Sequence, residues 1–92
     1  MELVINCCYG GFGLSDEACE RLGCERYDYQ DEEERCAPEL VECVRELGEL
    51  ANGSYADLEI VELPEEVTDW EIDEYDGFES VIYVVDGKIH HA

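Results

Sequence analysis

Cysteine is the residue type in this chain with the most versatile chemistry, because a thiolate can ligate a metal, form a disulfide or act as a nucleophile. The chain has 92 residues and six cysteines, at Cys7, Cys8, Cys19, Cys24, Cys36 and Cys43. Zinc-binding cysteines usually come in pairs two to four residues apart. Here two cysteines are adjacent, the next two are separated by four residues and the last two by six, so the spacing matches a zinc site only weakly. The spacing favours small, buried, reduced thiols, with a cysteine-based metal-binding module as the alternative.

No group of residues forms a recognisable catalytic site. His90 and His91 follow Lys88 without a serine or cysteine nucleophile in a motif, and a solvated tail is predicted there. The glycine-rich segment 9–13 could cradle a phosphate through backbone N–H groups, since it lies between a predicted strand and helix. The acidic pair 16–17 would repel that anion, so the glycines are predicted to have a conformational role. The sequence predicts no catalytic residue, no metal, no cofactor and no enzymatic activity.

Acidic residues dominate the composition, with 26 Asp and Glu against 5 Lys and Arg and a formal net charge of −21. A domain of this size buries only about 60–65% of the surface that its unfolded chain exposes, so nearly all carboxylates must face water. Apolar residues make up 46% of the chain, which favours a folded domain over a disordered acidic tail. The charge argues against direct binding to nucleic acid and favours a basic protein partner.

The predicted compartment is the cytoplasm. No apolar run approaches the roughly 18 residues that a membrane span needs, and the start of the chain lacks the basic region of a secretory signal. The sequence therefore predicts a single acidic domain over residues 1–92, without membrane association.

Two helices are predicted in the first half of the chain. A strand over residues 2–8 leads into the glycine-rich segment, and Ser15 is predicted to cap a short helix. A second helix is predicted to start at Pro38 and stop at the Asn-Gly pair 52–53, because apolar residues recur between them at three- and four-residue steps. The charged segment 25–35 is predicted to be a solvated loop or a frayed helix start rather than packed structure.

Three strands are predicted in the second half of the chain, at 58–63, 70–75 and 78–85. The pair Asp76-Gly77 is a strong hairpin signal, and Asp86-Gly87 predicts a second tight turn before residues 88–91. The order β-α-α-β-β-β predicts an α+β fold. In this fold, one small, mostly antiparallel sheet of about four strands carries both helices on one face.

Carboxylates are the candidate partner-binding groups. Those on the second predicted helix lie about 5 Å apart along its axis, which is of the order of the phosphate spacing on a nucleic-acid strand. The predicted acidic surface comprises Glu32, Glu33, Glu34, Glu39, Glu42, Glu46, Glu49, Glu71 and Asp73. Affinity also needs apolar anchors, since exposed charges mainly set the association rate. The candidate anchors are Tyr27, Tyr29, Tyr55 and Phe78.

Three segments resemble a family of small phage and prophage proteins of unassigned function. They are NCCYGGFGLS at residues 6–15, ELGELANG at residues 46–53, and IDEYDG at residues 72–77. Members of the family usually finish with a basic-aromatic tail after the third segment, whereas this chain continues with VIYVVDG at residues 81–87. The resemblance implies a phage accessory protein in a bacterial host cell and brings no catalytic residues with it.

Charge, size and resemblance together predict an acidic inhibitor encoded by a phage or prophage. Such a protein would mimic nucleic acid and block the DNA- or RNA-binding surface of a host defence complex, as an anti-CRISPR or anti-restriction protein. Two alternatives stay open. One is an acidic adaptor that binds a protein without displacing nucleic acid, and the other is the cysteine-based metal-binding module.

Overall fold

Two α-helices and five β-strands make up the regular structure of the protein, which a computed structural model describes over residues 1–92. In chain order they are β1 (Glu2–Asn6), α1 (Asp16–Leu22), α2 (Pro38–Leu47), β2 (Leu58–Glu62), β3 (Asp69–Tyr75), β4 (Phe78–Val85) and β5 (Lys88–His91). Short 3-10 helices flank α2, at Glu34–Cys36 and Gly48–Ala51. The strands form two antiparallel sheets, one of β1 and β2 and one in the order β3-β4-β5. The predicted α+β class is confirmed, but the prediction of a single sheet of about four strands is wrong.

Strand β1 lies between helix α2 and the three-stranded sheet. Successive side chains of a strand point to opposite faces, so its residues contribute alternately to two apolar clusters. Val4 packs with residues of α1 and α2, as does Leu58 of β2. Leu3 and Ile5 point to the other side, where they pack with Val81 of β4. The result is three layers: the helices, the two-stranded sheet and the three-stranded sheet. Helix α2 packs on one face of the two-stranded sheet, and α1 packs on α2 and on the 3-10 helix at Gly48–Ala51.

Helix α1 begins and ends where its capping residues predict. The Ser15 hydroxyl oxygen accepts a hydrogen bond from the Ala18 N–H at 3.1 Å. Gly23 ends the helix in the left-handed conformation, with φ of 67°. The short helix predicted from the sequence is therefore confirmed.

Helix α2 starts at Pro38 as predicted but ends at Leu47, well before the predicted stop at residues 52–53. Gly48 interrupts it with φ of 56°, a conformation that a glycine adopts at little cost. The chain then continues as a 3-10 helix over residues 48–51. The apolar periodicity runs through this break, which is why it predicted too long a helix.

Two tight turns shape the three-stranded sheet. Asp76 and Gly77 connect β3 to β4, and Asp86 and Gly87 connect β4 to β5. All four residues have positive φ, which matches the right-handed twist of the strands on either side. The second turn folds residues 88–91 back along β4 as strand β5. The tail predicted for His90 and His91 is therefore a strand, although both side chains are exposed as predicted.

Three segments of the chain, residues 6–15, 46–53 and 72–77, meet in space around the glycine-rich segment. The Asn6 side-chain amide donates to the Gly77 carbonyl oxygen at 2.7 Å, which joins the first segment to the third. The Gly53 N–H donates to the Gly13 carbonyl oxygen at 2.9 Å, which joins the first segment to the second. A Cβ at Gly53 would lie 2.9 Å from that same oxygen. The close backbone approach at Gly53 therefore leaves no room for a side chain there.

Candidate functional site

A row of carboxylates follows β3, an edge strand of the three-stranded sheet. Asp69, Glu71 and Asp73 are exposed, and they alternate with the half-buried Trp70 and Ile72. Successive side chains of a strand point to opposite faces, so the three carboxylates project from the same face.

The segment before the first 3-10 helix brings more carboxylates to this edge. A Glu32 carboxylate oxygen accepts a hydrogen bond from the Ile72 N–H at 3.2 Å, so Glu32 lies beside the β3 row. An open cleft of about 620 Å³ is lined by Asp31, Glu32, Glu33 and Trp70. The nearby Glu34 carboxylate accepts from the Asp31 N–H at 3.3 Å. We name the carboxylates of these two segments the acidic edge: Asp31, Glu32, Glu33, Asp69, Glu71 and Asp73.

No basic side chain pairs with the acidic edge. All four arginines form ion pairs elsewhere: Arg21 with Glu46, Arg26 with Asp16, Arg35 with Glu79, and Arg45 with Glu2 and Glu42. The fifth cation, Lys88, lies opposite Val85 on β5, across the sheet from β3. The acidic edge is therefore a surface of one charge sign.

Three of the four glutamates predicted to form a row on the second helix lie on α2, and the fourth does not. The four are Glu39, Glu42, Glu46 and Glu49. Arg45 donates to Glu42 at 2.7 Å, and Arg21 donates to Glu46. Glu49 lies beyond the helix, in the following 3-10 helix. Two of the four charges are thus compensated, and the helix ends before the fourth.

The predicted aromatic anchors are separated in the fold. Tyr27 and Tyr55 are exposed, and both line a cleft of about 90 Å³ above the glycine-rich segment. Phe78 is partly exposed and packs against Tyr9, with ring centroids 5.2 Å apart. Tyr29 is half-buried against the larger apolar cluster, so it does not fit the prediction of an exposed anchor.

Arg35 positions part of the acidic edge. The charged residues around it in the sequence predict a solvated side chain, but the structure buries it. It is only 2% exposed. Its guanidinium donates two hydrogen bonds to the Glu79 carboxylate, at 2.6 and 2.8 Å, and its Nε donates to the Tyr29 carbonyl oxygen at 2.6 Å. The guanidinium carbon also lies 3.7 Å from the centre of the Phe12 ring. These contacts tie residues 31–33 to the three-stranded sheet.

The six cysteines are free thiols, and no three His, Cys, Asp or Glu side chains are arranged to hold a metal ion. Cys19 and Cys24 are half-buried against the larger apolar cluster, which also contains Cys43. Burial raises the pKa of Cys24 to about 11, with a smaller contribution from the neighbouring Cys19 thiol. Such a thiol is a poor nucleophile at neutral pH.

We expect Cys24 to be alkylated by iodoacetamide about a hundredfold more slowly at pH 8 than free cysteine, whose thiol pKa is close to 8.5. The rate at this site, followed by mass spectrometry, should rise to that of free cysteine in denaturant. The raised pKa also means that the folded state holds the thiol proton more tightly. That stabilisation is complete below pH about 8.5 and is lost as the pH rises towards 11. Fast alkylation in the folded state would contradict this assignment.

The acidic edge contributes to one cleft of the protein, and Tyr27 and Tyr55 line another. No protein-family model matches the chain, and no similar curated protein or solved structure was found. No helix combines the length and the apolar character needed to cross a membrane.

Proposed function

We propose that this protein is an acidic decoy that occupies the nucleic-acid-binding surface of a basic host protein. The target class is a CRISPR effector or a restriction enzyme. The observation that carries the proposal is the acidic edge, six exposed carboxylates with no basic side chain among them. The resemblance to phage and prophage proteins supports this context, the cytoplasm of a bacterial host cell.

The spacing of the carboxylates on β3 suits a surface that normally binds phosphates. Alternate residues of an extended strand are about 6.8 Å apart, so Asp69, Glu71 and Asp73 present charges at regular steps along a straight line. These steps are of the order of the distance between neighbouring phosphates on one nucleic-acid strand. Lys and Arg side chains that contact a phosphate row would meet carboxylates at a similar period.

The charge of the whole chain adds a kinetic advantage. A net charge of −21 attracts a basic surface over distances near the Debye length, which is about 10 Å at 0.1 M salt. Such steering raises the association rate and makes it strongly dependent on salt. A decoy of this kind competes with nucleic acid for the same basic residues, so bound DNA or RNA and the protein exclude each other.

We expect neutralisation of the β3 row to weaken inhibition by about tenfold or more, because it removes three charges from one contact line. The variant combines Asp69→Asn, Glu71→Gln and Asp73→Asn, which retain side-chain size. The target is first captured from host lysate with the tagged protein and identified by mass spectrometry. The measurement is the protein concentration that halves DNA cleavage by the purified target, at low and at moderate salt.

The matched control removes the same number of charges from the surface around α1. It combines Glu17→Gln, Glu20→Gln and Glu25→Gln, all of them exposed residues outside the acidic edge. We expect this variant to stay within about threefold of the unmodified protein, since only its long-range attraction is reduced. Equal losses in both variants would mean that net charge alone acts. A captured partner that keeps its DNA in a ternary complex would refute the decoy and support the adaptor.

A further inference from the structure

One face of the three-stranded sheet has no layer packed on it. Strand β1 packs against the opposite face, through Val81. The uncovered face carries three aliphatic side chains, Ile82, Val84 and Ile89, beside three members of the acidic edge. We name it the outer face: Ile82, Val84, Ile89, Asp69, Glu71 and Asp73.

The aliphatic part of the outer face is continuous. Ile89 of β5 lies opposite Val84 of β4, and Ile82 follows two residues away on the same side of β4. Ile89 is 68% exposed, and a shallow cleft of about 160 Å³ runs past these residues to β3. A sheet normally buries its apolar face against another layer, and an exposed apolar patch with a polar rim marks an interaction site.

The acidic row borders this aliphatic patch directly. In the β3–β4 ladder Asp69 pairs with Val84, and Glu71 pairs with Ile82. The backbones of each pair are therefore about one strand spacing, 4.8 Å, apart, and the two side chains project from the same face. An element that covers the patch must bring apolar groups to its centre and positive charges to its β3 side.

We propose that the outer face docks a basic amphipathic α-helix of the partner protein. The inference rests on the proposed function, because it names the element of the basic partner that the acidic edge meets. Three strands span about 10 Å, close to the diameter of one helix. Side chains four residues apart on a helix are separated by about 6 Å along its axis, so Lys or Arg at that spacing would meet successive carboxylates of β3. Apolar residues on the adjacent stripe would cover Ile82, Val84 and Ile89.

A second copy of this chain is disfavoured as the occupant. Pairing two outer faces would bring two acidic rows together between molecules that each carry a net charge of −21. Like charges across an interface oppose association. An added strand along the free edge of β5 fits less well, because β4 and β5 would separate its side chains from the carboxylates of β3.

The test uses a synthetic helical peptide of about 18 residues, roughly the length of β4 at 1.5 Å per residue. Leu residues occupy one stripe and Lys residues the neighbouring flank, and a scrambled peptide of the same composition is the control. Binding to isotope-labelled protein is followed by NMR. We expect the amphipathic peptide to shift the resonances of Ile82, Val84 and Ile89, and to bind about tenfold more tightly than the scrambled peptide.

Protein variants locate the contact. Ile89→Glu should weaken peptide binding by about tenfold, and Ile89→Thr, which keeps a β-branched side chain in the strand, should weaken it by a smaller factor. Leu50→Glu makes the same type of change at an exposed aliphatic residue outside the sheet and should have no effect. Equal binding of the two peptides, resonance shifts confined to other residues, or self-association through this face would each overturn the inference.

The inference and the proposed function can fail separately. If neutralising the β3 row abolishes inhibition of the target but Ile89→Glu leaves it unchanged, the decoy stands and the helix-docking face is refuted. If the peptide binds the outer face as expected but the captured target keeps its nucleic acid, the docking face stands and the decoy is refuted.

Discussion

Replacement of Arg35 by methionine is expected to destabilise the protein by about 3–5 kcal/mol, a large part of the 5–15 kcal/mol typical of a domain. The Glu79 carboxylate would stay buried and lose two hydrogen bonds from the guanidinium. The carbonyl oxygens of Tyr29 and Val4 would also lose a donor. Stability is measured as the free energy of unfolding in urea, with salt added to screen repulsion among the carboxylates.

The control for this prediction is Arg45→Met. Arg45 also contacts two carboxylates, Glu2 and Glu42, but all three side chains are substantially exposed. Exposed ion pairs contribute about 0–1 kcal/mol, so the free energy of unfolding of this variant should fall only slightly.

A double variant tests the buried charge itself. Adding Glu79→Gln to Arg35→Met removes the buried charge and keeps an oxygen acceptor for the Asn6 N–H. The double variant should recover about 2 kcal/mol of the loss. Equal stability of the two single arginine variants would contradict the importance of the buried pair.

Gly77→Ala is expected to destabilise the protein by about 3–4 kcal/mol, through two separate costs. The residue has φ of 88°, which an alanine adopts only with strain. The new Cβ would also lie 2.7 Å from the Cα of Gly11 and 2.8 Å from the carbonyl oxygen of Tyr9. Both are backbone atoms, so relief requires the hairpin and the glycine-rich segment to move apart.

Gly87→Ala is a closely matched control, because Gly87 also follows an aspartate in a hairpin turn. Its φ is 74°, but a Cβ there would meet nothing within 4 Å. We expect the free energy of unfolding of this variant to fall by about 1–2 kcal/mol, from the backbone strain alone. The difference between the two unfolding free energies measures the close approach between hairpin and glycine-rich segment. Equal losses of stability in the two variants would show that the close packing of the hairpin turn on the glycine-rich segment does not contribute to stability.

Several elements could be predicted because their signals are local. The Ser15 cap depends on neighbouring residues alone, and the turns at 76–77 and 86–87 depend on the tolerance of Asp-Gly pairs for positive φ. The second turn contained enough information to predict β5, since a tight turn of this type returns the chain along the preceding strand. The paired histidines at 90–91 instead suggested a solvated tail, although His90 stacks on Tyr83 in the sheet.

The division of the strands into two sheets had no local signal. The Asn6 N–H donates to the Glu79 carboxylate at 2.8 Å, a contact between residues 73 positions apart. Side chains rather than a backbone ladder therefore connect β1 to β4. Alternation of apolar residues predicts that a strand is buried, but it does not predict which strand will be its neighbour.

The α+β class, the turns, most helix ends and the strongly negative charge could all be predicted, since each depends on composition or on residues close along the chain. Which carboxylates form a surface depends on how the layers pack. This packing pairs Glu42 and Glu46 with arginines and brings residues 31–33 beside β3 through the buried Arg35. Burial of Arg35 required a carboxylate 44 residues away in the chain. A buried charge is stable only with such a partner, and long-range pairing of this kind is decided when the layers pack.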